Sequence, residues 1–250
     1  WSSDVCSSDL EHALKTEEVF DASHEETLQY MTELLEPAME RMQLEPRWLQ
    51  PLAATLTTCL NETLTLGQDE CCLSKIAHRS LATEVPFLLR LGGTAEFSTK
   101  KIAAAFESSP DSLLQSYGRR VRAMSVSGLQ GYLAGFVDLV FESNGKWFVA
   151  DYKTNSLGPT WSDYTTDRLE SAMIEHDYLL QAAIYSVAVG RLLTQRLTSF
   201  DLERDYGGCV YFYLRGFPTA GPPETGIWHY RPPAEFVKAL SDALDGEMAS

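Results

Sequence analysis

Apolar residues recur at three- and four-residue steps early in the chain. Leu28, Met31, Leu35, Met39 and Met42 do so across 25–44, and Leu49, Leu52, Leu56 and Leu60 across 48–60. That period predicts two amphipathic helices, the first with Pro37 inside it. The run from Thr83 to Leu91 reads as a strand, placed at a sheet edge by Pro86. Residues 98–125 fit neither period. Two apolar runs, Phe136–Phe141 and Trp147–Lys153, flank Ser143-Asn-Gly-Lys146, and Asn-Gly between such runs predicts a tight β-hairpin. Residues 157–167 read as a loop. A helix is predicted over 168–196, with Leu169, Met173, Leu180, Ile184 and Val187 on one side. Cys209–Leu214 is a further strand and 234–247 a last helix. There is no internal repeat. The order predicts an α/β fold: a mainly helical region over 11–75, then an α/β core over 80–250 with a mixed central sheet flanked by helices.

The first ten residues, Trp1–Leu10, resemble the translation of a sequencing adapter joined to a truncated reading frame. We expect them to lie outside the domain, which would span 11–250, and the natural chain to extend upstream. A genuine Ser-rich loop is the alternative. The stretch has neither the cationic start nor the apolar centre of a signal peptide.

Hydrophobic residues at 44% and charged ones at 22% are ordinary globular values, which excludes a disordered or collagen-like chain. No apolar run approaches the length that crosses a bilayer, so no membrane partner is expected. The net charge of −15 argues against tight, unaided binding of nucleic acid. Cys6, Cys59, Cys71, Cys72 and Cys209 are odd in number, include an adjacent pair and form no C-x-x-C. That pattern predicts neither a disulfide framework nor a zinc site, and fits a reducing, cytoplasmic setting.

The hairpin carries the chemistry. With Asn144 and Gly145 at its tip, facing residues have numbers summing to 289, so Asp138 and Asp151 face each other as a non-hydrogen-bonded pair. Lys153, two residues on, projects from the face of Asp151. Both strands are apolar on both faces, which predicts an interior position in the sheet. Two facing carboxylates there repel and need a compensating cation or a raised pKa. Lys153 supplies one positive charge, and a divalent ion of the hard type that carboxylates favour, Mg²⁺ or Mn²⁺, would supply the rest. A metal on such a patch, with a lysine beside the attacking water, suits phosphodiester hydrolysis. The plain alternative is a buried Asp–Lys ion pair with an unrelated second Asp.

Gly135-Phe-Val-Asp138, Asp151-Tyr-Lys153-Thr-Asn155 and Gln181-Ala-Ala-Ile-Tyr185 resemble, in order, the signature of the RecB-type nucleases. These belong to the PD-(D/E)xK group, which has the restriction-endonuclease-like fold. Tyr206–Gly216 and Gly226–Arg231 are similar to the C-terminal end of exodeoxyribonuclease V beta subunits. The likeness is clear over about 130–231 and weaker over 11–129. It implies a Mg²⁺-dependent deoxyribonuclease, with Mn²⁺ as an alternative ion, that acts on DNA within a helicase–nuclease beside gamma and alpha subunits (RecC and RecD) in double-strand-break repair and recombination.

By the same resemblance Asp138 and Asp151 would be metal ligands, the carbonyl of Tyr152 a further ligand, and Lys153 the partner of the nucleophilic water. Gln181 and Tyr185, four apart on one helix face, would support substrate and catalytic groups; an ordinary polar edge of a packed helix is the alternative. The family also has an upstream His ligand four residues after a Gly. His12 is the best match, although the Gly position holds Ser8, and the alternative is that the ligand His has been lost upstream. Glu84 would be an upstream acidic residue of the fold, or a plain edge-strand charge. His24 reads as a solvated helix start, and His78, His176 and His229 as surface or packing residues.

An acidic domain can cut DNA if other parts of the assembly grip and thread the polymer. Arg119, Arg120 and Arg122 would touch backbone or simply form a solvated face. No G-x-x-x-x-G-K-[ST] loop is present, so a helicase motor would belong to missing upstream chain, and the cysteine pattern of iron–sulfur relatives is absent. A catalytically silent module of the same fold, and a standalone nuclease, remain alternatives.

Overall fold

The computed structural model describes residues 11–16, 22–92, 99–124, 131–217, 222 and 224–245. The adapter-like stretch lies outside the described residues. A helical turn over 11–15 precedes α1 (His24–Arg41) and α2 (Leu49–Asn61), followed by β1 (Leu64–Leu66), β2 (Asp69–Cys71) and β3 (Leu81–Leu91). Next come α3 (Thr99–Glu107), α4 (Ser112–Ala123), β4 (Gly131–Ser143) and β5 (Lys146–Lys153). The chain continues through α5 (Thr166–Glu175), α6 (Tyr178–Arg196), α7 (Leu202–Asp205), β6 (Tyr206–Tyr213), β7 (Ile227–Tyr230) and α8 (Ala234–Asp245). One sheet runs in the order β3-β4-β5-β6-β7, and β1 pairs with β2 alone. The expected α/β class holds, with β3 at an edge and the β4–β5 hairpin interior.

The described residues divide into two compact units. One is drawn from Trp1–Val85, Val137–Met173 and Cys209–Tyr230, the other from Pro86–Phe136, Ile174–Gly208 and Arg231–Ser250.

In the first unit α1 starts on a capping box: the Ser23 hydroxyl accepts from the Glu26 N–H, and the Glu26 carboxylate accepts from the Ser23 N–H. Met31, Leu35 and Met39 are buried as the period predicts, but Met42 caps the helix and is exposed. The alternation of β5 divides its side chains. Phe148, Ala150 and Tyr152 join Leu139 and Phe141 of β4, Phe212 of β6 and the apolar face of α2 in one core. Phe141 and Phe148, directly paired, stack at 5.1 Å. Asp151 and Lys153 therefore take the opposite face from this core. The β1–β2 hairpin, missed because its runs are three residues long, docks on the tip of β4–β5. There Asn144 donates to the Glu70 carbonyl at 3.0 Å and Lys146 meets Asp69 at 2.6 Å.

In the second unit the undecided 98–125 segment supplies two helices. Phe106 of α3 sits edge-on to Tyr117 of α4 and to Phe236 of α8. The helix expected over 168–196 is two helices, α5 and α6. Asp177, at φ +59°, breaks it in the left-handed region. Its carboxylate accepts from the Tyr117 hydroxyl at 2.9 Å and from Arg120 at 2.6 Å. Beyond the break the buried stripe shifts to Leu179, Ala182, Ala183 and Tyr185, leaving Leu180 and Ile184 half-buried. Arg122 pairs with Glu107, so two members of the arginine cluster hold structure rather than facing solvent freely.

Asp177→Ala keeps the strained backbone and removes the Tyr117 bond together with both Arg120 bonds. It is expected to cost about 1–2 kcal/mol in urea unfolding, with most of the loss reproduced by Tyr117→Phe.

Candidate metal centre

The β4–β5 register runs Ser143↔Lys146, Glu142↔Trp147, Phe141↔Phe148, Val140↔Val149 and Leu139↔Ala150. Every pair obeys the sum fixed by the Asn144-Gly145 tip, where both residues have positive φ as a two-residue primed turn requires. The next pair outward is Asp138 with Asp151. The ladder ends there, and the Asp138 carboxylate accepts the Tyr152 N–H at 3.3 Å. A side chain thus takes over a backbone donor at the point where the two acids meet.

Asp151 is 2% exposed, and its Oδ1 lies 2.5 Å from Lys153 Nζ. The ammonium also sits 5.3 Å from the centre of the Tyr211 ring of β6, a cation–π contact that fixes it over the sheet. Burial pushes the Asp151 carboxyl up to about 7, with the Asp138 charge adding to the rise and Lys153 opposing it. Asp138, half-buried, is also raised by burial and by the charge of Glu84, against the Tyr152 N–H and Lys153.

Two further carboxylates feel this pair. Glu84 stands at φ +50° inside β3, a backbone setting that a non-glycine residue adopts at a cost of about 1–3 kcal/mol. It forms an ion pair with Lys15. Glu11, one helical turn before Lys15 and therefore on the same side, is half-buried. Burial, then the charges of Asp138 and Glu84, push its carboxyl up to about 7. Ala13 and Leu14 anchor that turn in the core, while His12 is exposed. Within the turn Glu11 shares the field of the aspartates, next to exposed His12. The signal for Glu11 in the sequence is its four-residue spacing from Lys15.

The group holds four carboxylates (Glu11, Glu84, Asp138, Asp151) and two ammoniums (Lys15, Lys153), a formal charge of −2 when all are ionised. Its buried acid and charge deficit fit a divalent cation with oxygen ligands. Among the described residues no three Asp, Glu, His or Cys side chains already converge as a ligand set. The fit thus rests on the aspartate pair and its charge rather than on a finished cage.

In the second unit Gln181 Nε2 donates to the Tyr185 hydroxyl at 3.0 Å along α6. The Tyr185 ring meets Phe87 edge-on at 5.8 Å. Phe87 in turn lies over Gly135, where a Cβ would stand 2.8 Å from its ring. The glycine of the Gly135-Phe-Val-Asp138 motif thus makes room for the residue that supports Tyr185. The structure brings together Asp138, Asp151 and Lys153 in one unit and Gln181 with Tyr185 in the other. Among the histidines, His24 opens α1 and is exposed, exposed His78 contacts the Lys15 carbonyl at 3.2 Å, and His229 packs on Phe148.

A family model described as the PD-(D/E)XK nuclease superfamily matches residues 3–248. The chain belongs to this nuclease superfamily. Among its relatives, the RecBCD enzyme subunit RecB of Escherichia coli strain K12 is 31% identical over 220 residues, 87% of this chain and 17% of that protein. RecB of Mycolicibacterium smegmatis is 39% identical over 149 residues, 55% of this chain and 14% of the relative. RecB of Haemophilus influenzae is 29% identical over 209 residues, 84% and 16%. The chain thus spans about a sixth of the length of these curated relatives. As a PD-(D/E)XK nuclease it has the restriction-endonuclease-like α/β fold that its mixed sheet displays.

The raised acid fixes a pH dependence. Free aspartate ionises near 3.8 and Asp151 near 7. Between these values the folded protein binds more protons than the unfolded chain, so the contribution of Asp151 to stability falls as pH rises through that window. In urea unfolding with chelator, Asp151→Asn should gain on wild type between pH 4 and pH 8, by at most about 4 kcal/mol. Gly135→Ala should cost about 1–3 kcal/mol by overpacking, and Phe87→Leu in the same chain should recover part of it.

Proposed function

We propose that this PD-(D/E)XK nuclease is a Mg²⁺-dependent deoxyribonuclease hydrolysing phosphodiester bonds, and part of a RecB-like helicase–nuclease subunit for double-strand-break repair and recombination. The single observation that carries the reading is the facing of Asp138 and Asp151 at the end of the β4–β5 ladder, with Lys153 2.5 Å from the buried acid. Asp138 and Asp151 would hold the ion with the Tyr152 carbonyl, and Mn²⁺ would serve in its place. An ion held by these residues would supply positive charge for the phosphate and lower the pKa of a bound water. Lys153, held as an ammonium between Asp151 and the Tyr211 ring, would orient the attacking water, whose proton leaves to solvent while the departing oxygen takes one from it. Glu11 and Glu84 deepen the negative field that draws the cation in. Gln181 and Tyr185, joined by their hydrogen bond, support substrate and catalytic groups.

The relatives named as subunits of RecBCD support assembly with gamma and alpha subunits of the RecC and RecD kind, acting on DNA, and the cysteine pattern favours a cytoplasmic setting. No helix among the described residues is long and apolar enough to cross a membrane.

The chain with Mg²⁺ should degrade linear DNA, measured by release of acid-soluble nucleotide. Asp151→Ala and Lys153→Ala should each lower the rate at least ~100-fold while leaving the far-ultraviolet circular dichroism unchanged. Undiminished cleavage by Asp151→Ala would remove the aspartate pair from catalysis.

A further inference from the structure

Lys153 is the last residue of β5, so the place of its ammonium depends on how well a strand end is held. Asp151 and the Tyr211 ring hold the ammonium itself. Chain ends of regular elements open easily, and a reacting group misplaced by about 1 Å can cost a reaction about 100-fold. Residues 154–158 follow Lys153 with neither helix nor strand. Side chains from later in the same unit hold them instead.

Arg215 lies in the short helical turn Leu214–Gly216 that follows β6. Its Nε donates to the carbonyl of Thr154, the residue next to Lys153, at 2.6 Å. The donor is charged, which makes such a bond about twice as strong as a neutral one. A guanidinium also fixes the direction of approach, because its N–H groups lie in one rigid plane. The turn that carries Arg215 is itself anchored. Leu214 is sealed in the core, and Gly216 is pressed against Tyr164, where a Cβ on the glycine would stand 2.5 Å from the tyrosine Cβ and Cγ. Tyr164, buried, ties the same loop a second time. Its hydroxyl accepts the Leu157 N–H at 3.1 Å and donates to the Gly158 carbonyl at 3.4 Å. Its own carbonyl accepts the Gly226 N–H at 3.0 Å. The chain leaving Lys153 is thus fastened at Thr154, Leu157 and Tyr164 to the turn behind β6.

We propose that Arg215 is a positioning residue for Lys153: it fixes the strand end that carries the ammonium and leaves the chemistry to Lys153 and the aspartates. The catalytic part of this rests on the nuclease reading; the restraint on Lys153 does not. The test therefore pairs cleavage kinetics with a readout that needs neither metal nor DNA. The whole chain is reductively methylated with formaldehyde and dimethylamine–borane in chelator, and each lysine is followed by mass spectrometry. Lys153, whose side chain is 12% exposed, should react slowly in wild type. In Arg215→Ala it should react severalfold faster, while Lys146 and Lys238 keep their wild-type rates. With Mg²⁺ and linear DNA the same variant should lose roughly 10- to 100-fold in kcat with KM unchanged. Arg215→Lys, which keeps a charged donor on a long stem, should recover most of both. Tyr164→Phe, which keeps the ring and removes the two hydroxyl bonds, should show the same pattern more weakly. Wild-type methylation of Lys153 in Arg215→Ala overturns the proposal, whatever cleavage does. So does faster methylation with wild-type kcat, or a rise shared by all lysines, which would make Arg215 merely structural. A loss seen only in KM also overturns it and would place the guanidinium on DNA. Cleavage that survives Asp151→Ala would instead sink the catalytic reading, and the methylation pattern would still show whether Arg215 holds Lys153.

Discussion

Two carboxylates brought face to face at the end of a hairpin, one of them almost sealed from water, repel each other and resist ionisation. They stay charged only when positive charge reaches them. Everything at this centre answers that demand. Lys153 leans on the buried acid and on the Tyr211 ring, the Tyr152 N–H leaves the strand ladder for Asp138, and Lys15 ties Glu84 to the first helical turn. These groups do not balance the charge. The residual deficit is what a divalent ion would meet, and binding one would offset that electrostatic cost of folding.

The hairpin can bear that cost because its other face is so thoroughly apolar. Phe141, Phe148, Ala150 and Tyr152 anchor the strands in a core shared with α2 and β6, so the pair of acids is held in place by side chains they never touch. Tight packing leaves the strands no inexpensive way to slide apart when the acids ionise. The second unit works by a similar economy. Gly135 lacks the Cβ that would displace Phe87, and Phe87 then supports Tyr185, so two motifs distant in sequence are joined through an unremarked phenylalanine.

Much of this was legible beforehand. The Asn144-Gly145 tip fixes the register, since a two-residue turn leaves no freedom in pairing, and the five observed pairs follow. Pro86 marked an edge strand because it lacks a donor. Elsewhere the pattern misled. Asp177 lies in a helical period that continues on both sides, so nothing apolar announces the break; the reason for it is Tyr117 and Arg120, which come from sixty and fifty-seven residues earlier. Met42 kept the period but had passed the end of the helix. Segment 98–125 was obscure because small and charged residues dilute its apolar face, and its helices gain their partner only when Phe236 arrives from the far end of the chain.

The sequence by itself determined the α/β class, the hairpin, the facing of Asp138 with Asp151 and the side shared by Lys153, because these depend on local turn chemistry and the two-residue repeat of a strand. Tertiary structure decided that Glu11 of the first turn shares the field of the acids, and that Glu84 adopts a left-handed backbone beside them. It also decided that two of the arginines are bound to carboxylates. Those outcomes turn on which side of an element is covered by distant chain, and on charges summed through space, neither of which a linear pattern encodes.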